Sequence, residues 1–239
     1  MKIALALDHG FRSQGLAKRT LANLYNARIV ARGGVPSVNI IDVVGRIPEV
    51  RLVDFVPEHG NVTPLELLCL SMIVRAFKPS EVLELGTFNG NTTLQIAANL
   101  ECGAHASTLD LPVGAEPVDA NDEHDAVLIR AETRERPRYV GSPYADSVRQ
   151  FYGNSLEVDF ATLNPARPGM IFIDAGHTDE CVRNDTVKSL KVLAQGGCVV
   201  WHDYTQDWPD VFNYLNELAK QLPLKHIHGT NLVIYRNIT

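Results

Sequence analysis

The chain of 239 residues carries 22 Lys and Arg against 28 Asp and Glu, a formal net charge of −6, with 45% hydrophobic and 21% charged residues. That length suits one large domain with a small appendage, and that composition buries a core without metal or disulfide staples. Mild acidity argues against a phosphate-backbone partner, and no apolar run approaches the roughly 18 residues of a membrane span, so a cytoplasmic protein without nucleic-acid or membrane partners is expected.

Residues 1–61 read as an N-terminal extension that caps a pocket or pairs subunits into a homodimer. Within it a helix is expected over 16–30, followed by a break at Gly33-Gly34-Val35-Pro36. The β-branched runs 38–44 and 50–56 are expected as two short strands.

From residue 62 to 239 the pattern is regular. Thr63-Pro64-Leu65-Glu66 is a capping box with proline in the first turn, which starts a buried helix to about Phe77. Strands are expected at 81–85, 104–109, 150–152, 169–174 and 198–201, with helices over 92–100, from Thr178 to Gly196-Gly197, and from Pro209. An antiparallel pair, 224–228 and 231–235, closes the chain. Alternating strands and helices give an α/β fold with a doubly wound, mostly parallel, seven-stranded sheet. Residues 111–150, with four prolines, interrupt the rhythm as a lid-like insertion. Its Arg130, Arg134, Arg136 and Arg138 read as a solvated loop, with a lid that meets an acidic or phosphorylated substrate as the sharper alternative. Cys69, Cys102, Cys181 and Cys198 form no C-x-x-C pair and read as core thiols. His226 and His228 alternate on a late strand, so one of them is expected to be exposed.

In such a sheet ligands bind beyond the carboxyl ends of the strands. Glu84, Gly86, Thr87, Phe88 and Gly90 follow the first regular strand, and the helix N-terminus at Asn91-Thr92-Thr93 offers free amides. Asp110 ends the next strand 26 residues after Glu84, close to the spacing at which an acid grips ribose hydroxyls. This pair points to an adenosine-containing ligand. Phe88 stands where a pyrophosphate-binding loop wants glycine, which favours a ligand without phosphates.

The segments 84–93 (ELGTFNGNTT), 172–177 (FIDAGH) and 196–204 (GGCVVWHDY) resemble class I S-adenosylmethionine-dependent methyltransferases. The similar subgroup is the small-molecule O-methyltransferase-like set whose first motif reads Gly-Thr-x-x-Gly. The resemblance spans about 62–236 and implies a Rossmann-like fold with S-adenosylmethionine as cofactor. It implies that Glu84, Gly86, Thr87 and Phe88 shape the methionine end, that Asp110 holds the ribose, and that Leu111 lies beside the adenine. Gly153-Asn154-Ser155 matches a family Gly-Asp-Ser whose polar side chain contacts the adenine amino group, with Asn154 in place of Asp. Asp174 would lie beside the sulfonium.

The resemblance also implies that acids at two strand ends, here Asp174 and Asp203, hold a divalent metal such as Mg²⁺, with His202 as a further ligand. Tyr204 departs from the family pattern after Asp203. Two other readings stay open for these residues: metal-free general-base catalysis by His177 or His202, and plain backbone bonding at a strand end. Trp201, Tyr204 and Trp208 can wall an aromatic pocket, with Trp201 in the core as the simpler reading. The expected activity is methyl transfer to a small-molecule hydroxyl; a metal-dependent hydroxylase-like enzyme and a non-catalytic cofactor-binding protein are the alternatives.

Overall fold

The computed structural model describes residues 34–115, 134–164 and 166–237. The expected helix at 16–30, Gly33, Arg130 and the centre of the insertion lie outside them. Residues from Val35 onward make one compact unit. Its elements are β1 (Ser37–Val38), α1 (Ile40–Val44), α2 (Pro64–Phe77), β2 (Glu81–Leu85), α3 (Asn91–Asn99), β3 (His105–Asp110) and β4 (Val148–Tyr152), followed by β5 (Met170–Ile173), α4 (Asp179–Val192), β6 (Cys198–Trp201), α5 (Pro209–Leu218), β7 (Lys225–Ile227) and β8 (Val233–Arg236). None of the described helices is long and apolar enough to cross a membrane.

The strands order as β1-β7-β8-β6-β5-β2-β3-β4, and only β8 runs antiparallel to its neighbours. The chain steps outward from β2 through β3 to β4, then crosses back to β5 on the other side of β2. That reversal opens a crevice at the carboxyl ends of β2 and β5, the place where such sheets bind ligands. Successive strand residues feed two cores. Leu83, Leu85, Ile171, Ile173 and Trp201 join Val182, Val211 and Leu215 of α4 and α5. Val82, Met170, Phe172 and Val200 join Leu67, Leu70 and Ile73 of α2. Burial on both faces explains why the central strands read as continuous apolar runs.

The capping box forms as expected: Glu66 N–H donates to the Thr63 hydroxyl, and Thr63 N–H donates to Glu66 Oε2 at 2.7 Å. Four expectations need correction. The sheet has eight strands, not seven, because Ser37 and Val38 pair in parallel with His226 and Ile227. Residues 40–44 are helical rather than extended, closed by Gly45 in the left-handed region. Residues 50–56 pair with no strand; their backbone is taken up by amide side chains one helical turn apart on α3. Val53 N–H donates to Gln95 Oε1 and Gln95 Nε2 returns a bond to the Val53 carbonyl, both at 2.7 Å. Asn99 exchanges the same two bonds with Arg51, and Asn91 accepts from Val56 N–H. Lastly, α4 ends at Val192 with Leu193 as its cap, short of Gly196-Gly197.

Cys69, Cys181 and Cys198 are buried thiols, whereas Cys102 is exposed and so departs from the core reading. His226 is buried and His228 exposed.

Candidate active site

The turn after β2 is shaped by close approach. Gly86 has φ +94°, and a Cβ there would lie 1.8 Å from the Asp174 carbonyl oxygen, so only glycine lets β2 and β5 end side by side. Phe88 also takes the left-handed region, at φ +48°, a conformation that bulky residues rarely adopt. It aims the Phe88 N–H at Asp110 Oδ2, 2.8 Å away. Gly90 caps α3, and Thr92 sits in the first turn of that helix, buried.

Behind this turn runs a directional chain of hydrogen bonds. Tyr139 O–H donates to Gln150 Oε1 at 2.6 Å, and Gln150 Nε2 donates to the Thr87 hydroxyl at 3.0 Å. Thr108 donates its single hydroxyl proton to Glu84 Oε2 at 2.7 Å, so in the 2.6 Å contact between Thr87 and Thr108 it is Thr87 that donates. Thr93 also donates to Glu84 Oε2. Glu84 is fully buried, and its Oε1 has no hydrogen-bond partner. Burial pushes its carboxyl pKa up to about 8 against the pull of Thr108 and Thr93, so the group is neutral at pH 7.

Asp110 Oδ1 accepts from Leu111 N–H at 2.8 Å and meets the Arg134 guanidinium at 3.0 Å. Burial raises the Asp110 pKa, opposed chiefly by Arg134. Arg134 is 4% exposed and also donates to the Leu111 carbonyl, so the solvated-loop expectation fails at this residue. Thr87, Phe88, Asp110, Arg134, Gln150 and Tyr152 line a narrow cleft. At its far side Gly153 N–H donates to the Asp110 carbonyl, which brings the turn carrying Asn154 and Ser155 beside Asp110.

The ends of β5 and β6 hold concentrated charge instead. His177 Nε2 lies 2.8 Å from Asp203 Oδ2, and its ring stacks on Trp208 with centroids 3.8 Å apart. Asp203 has φ +59°, a strained position that turns its carboxylate back toward β5. One ligand atom each from Asp174, His177 and Asp203 falls within a 4.8 Å group, a geometry able to hold a metal ion. His202 lies beneath them. Its Nδ1 is 3.0 Å from Asp174 and 3.1 Å from Asp203, and its Nε2 is 3.4 Å from Glu66 of α2. These contacts set three carboxylates around one buried imidazole.

Burial alone would depress the His202 pKa, but Asp203, Asp174 and Glu66 together hold it well above its usual value. Burial would likewise raise Glu66 and Asp203, yet His202 draws both down, Glu66 to about 2. His202 is therefore a cation shared by three carboxylates.

Of the expected residues, Glu84, Gly86, Thr87, Phe88, Gly90, Thr92, Asp110 and Leu111 gather at the ends of β2 and β3, with Asn154 and Ser155 at the end of β4. Asp174, His177, His202 and Asp203 gather at the ends of β5 and β6. The metal-capable set contains His177 where the resemblance implied His202. Trp208 walls the site, while Tyr204 is buried and donates to Asn216, with the Val35 N–H on its hydroxyl, so it belongs to the core like Trp201. Sequence reading missed Glu66 and Arg134 as site residues. Glu66 was accounted for as a cap, and nothing local marks either as reaching a strand end across the sheet.

The model of the methyltransferase domain family matches residues 83–204. No curated protein sequence matches. Among solved structures, the chain is similar to the O-methyltransferase TomG of tomaymycin synthesis from Streptomyces achromogenes, solved with S-adenosylmethionine. The identity is 17%, covering 75% of this chain and 82% of that one, with a TM-score of 0.54. It is similar to an O-methyltransferase from Bacillus cereus in complex with S-adenosylhomocysteine, at 17% identity over 89% and 96% of the two chains and a TM-score of 0.53. A Podospora anserina methyltransferase bound to S-adenosylhomocysteine gives 15% identity, 95% and 97% coverage and a TM-score of 0.56.

Proposed function

This chain belongs to the methyltransferase domain family, the S-adenosylmethionine-dependent class, and on that premise we propose that it methylates a hydroxyl oxygen of a small molecule. The observation that carries the reading is the His177–Asp203 pair beside Asp174, at the carboxyl ends of β5 and β6 next to the turn after β2. The cofactor's methionine end is assigned to Glu84, Gly86, Thr87 and Phe88, with Gly90 and Thr92 closing the turn. Its ribose is assigned to Asp110, and its adenine to Leu111, Asn154 and Ser155. Asp174 then stands next to the sulfonium.

The acceptor oxygen attacks the methyl carbon in line with the breaking carbon–sulfur bond, whose electron pair stays on sulfur to give S-adenosylhomocysteine. The protein must align the two partners and take the hydroxyl proton. His177, oriented by Asp203 through Nε2, is the group assigned to take that proton. Trp208, stacked on the ring, holds its plane and supplies an apolar wall for the acceptor.

The same three side chains favour a second reading. Asp174, His177 and Asp203 fit a divalent cation such as Mg²⁺, with the imidazole shifting preference toward a softer ion. Bound there, a cation lowers the pKa of the acceptor hydroxyl. Activity abolished by chelator and restored by added metal selects this reading; activity indifferent to chelator selects the His177 base. Residues 1–61 are assigned to covering the acceptor or pairing two subunits, and light scattering on the full chain separates the two.

Calorimetric titration with S-adenosylhomocysteine tests the cofactor, and a hydroxylated acceptor panel followed by mass spectrometry tests the transfer. Binding and a mass gain of one methyl group are expected. Absence of binding would sink the proposal, and an oxidised product would point to the hydroxylase-like alternative.

A further inference from the structure

Asp110 closes β3, and its carboxylate is crowded. A carboxylate offers about four acceptor sites, two on each oxygen. Oδ1 takes the Leu111 N–H at 2.8 Å and the Arg134 guanidinium at 3.0 Å, while Oδ2 takes the Phe88 N–H at 2.8 Å. Among the described residues that leaves a single site, on Oδ2. A vicinal diol grips a carboxylate with one O–H on each oxygen, so it needs a vacancy on Oδ1 as well. The amides of Phe88 and Leu111 belong to the turn and strand end that shape the seat. Arg134 is the partner that can leave, because it reaches Asp110 by a long side chain from another segment.

The guanidinium lies across the end of β3. One nitrogen, Nη2, reaches both Asp110 Oδ1 and, at 2.7 Å, the Leu111 carbonyl. Arg134 lines the narrow cleft together with Asp110, Phe88 and Tyr152, and it is buried there. Three residues further on, the chain is pinned to the turn after β2. Arg138 N–H donates to the Asn89 carbonyl at 2.8 Å, and a Cβ on Gly90 would lie 2.9 Å from Pro137 and 3.0 Å from Tyr139. Release of the Arg134 side chain leaves that anchor in place.

We propose that Arg134 is a plug supplied by the chain itself: its guanidinium holds the place of the cofactor's ribose diol on Asp110, and cofactor binding displaces it. The inference rests on the assignment of the ribose to Asp110 made above and adds a self-occluding contact to it. In the free protein a buried carboxylate is paired with a cation, where an unpaired charge would be costly. In the complex two hydroxyls take over the vacated acceptor sites. Apparent affinity is then reduced by the fraction of molecules in which Arg134 has left Asp110. A guanidinium that held the cofactor would act in the opposite sense, since its removal would weaken binding.

Two measurements on the full-length protein read the displacement, with S-adenosylhomocysteine as the ligand. Labelling by phenylglyoxal, located by mass spectrometry, follows the exposure of Arg134. Its rate at Arg134 is expected to rise by about 5-fold or more at saturating ligand, while the exposed Arg183 reacts at an unchanged rate. In calorimetry at pH 8, Arg134→Ala is expected to bind the ligand about 5- to 10-fold more tightly, as removal of a competing closed state does. If the ligand binds but labelling of Arg134 stays the same or slows, the inference alone is overturned. An affinity that Arg134→Ala leaves unchanged or weakens overturns it too. The labelling uses the unaltered chain and decides the matter if the variant does not fold. If the unaltered chain binds no S-adenosylhomocysteine, the cofactor assignment falls and the inference falls with it.

Discussion

Around β2 and β3 the polar side chains pass hydrogen bonds from Tyr139 through Gln150, Thr87 and Thr108 to a neutral Glu84, whereas around β5 and β6 three carboxylates crowd one buried imidazole. The first arrangement offers donors of fixed direction around a group without a nearby charge. The second concentrates charge around one ring. Burial has opposite consequences in the two regions. Glu84 lacks a cation and keeps its proton, while Glu66 and Asp203 share His202 and remain ionised. The contrast shows that a strand-end carboxylate is not one kind of group: its role is set by whether a cation has been buried with it.

Gly86→Ala attacks both regions at once and is expected to have the largest effect, a loss of about 3–5 kcal/mol in urea unfolding, because its Cβ would overlap the Asp174 carbonyl. His177→Ala separates the regions. Turnover should fall by about 10²–10⁴-fold while S-adenosylhomocysteine affinity stays within about 2-fold; a parallel loss of affinity would mean that His177 serves the cofactor. Asp110→Asn probes the other region, with an expected 10- to 100-fold weakening, written as about 1.5–3 kcal/mol for a hydrogen bond to a charged group. Unchanged affinity in calorimetry would remove the ribose assignment.

Glu84 supplies the most diagnostic effect. Its folded pKa of about 8 lies above the ordinary 4.5, so the folded state binds more protons between those values. Its contribution to stability is therefore fully present below about pH 4.5 and declines as pH rises toward 8. Glu84→Gln should reduce the decline in urea midpoints measured between pH 6 and 9, leaving the part that His202 contributes through its own raised pKa. A decline that the substitution leaves undiminished would show that Glu84 is ionised, and the contrast between the two regions would collapse.

The two regions also differ in how far they could be read from the amino-acid sequence. Gly86, Gly90 and Asp110 lie just after apolar runs, so strand periodicity and turn chemistry place them together without knowledge of distant partners. Asp174, His177, His202 and Asp203 are found by the same rule, as residues beyond β5 and β6. Their division of labour was not legible. Glu66 reads as a helix cap from its spacing to Thr63, and it is one, yet the same carboxylate reaches His202 from α2. Arg134 reads as one of several solvated guanidiniums and instead lies buried on Asp110. Residues 50–56 have strand composition, but the groups that pair them are the side-chain amides of α3.

By itself the sequence determined the alternation of strand and helix, the helix caps, the glycine turns and the set of polar residues at the strand ends. These follow from contacts within a few residues, or from the period with which apolar side chains recur. Only the tertiary structure decided that His202 sits among three carboxylates and that His177 joins Asp174 and Asp203 in one group. Each of those outcomes depends on which charge arrives from an element far away in the chain, and burial magnifies its effect because the low-dielectric interior screens it poorly.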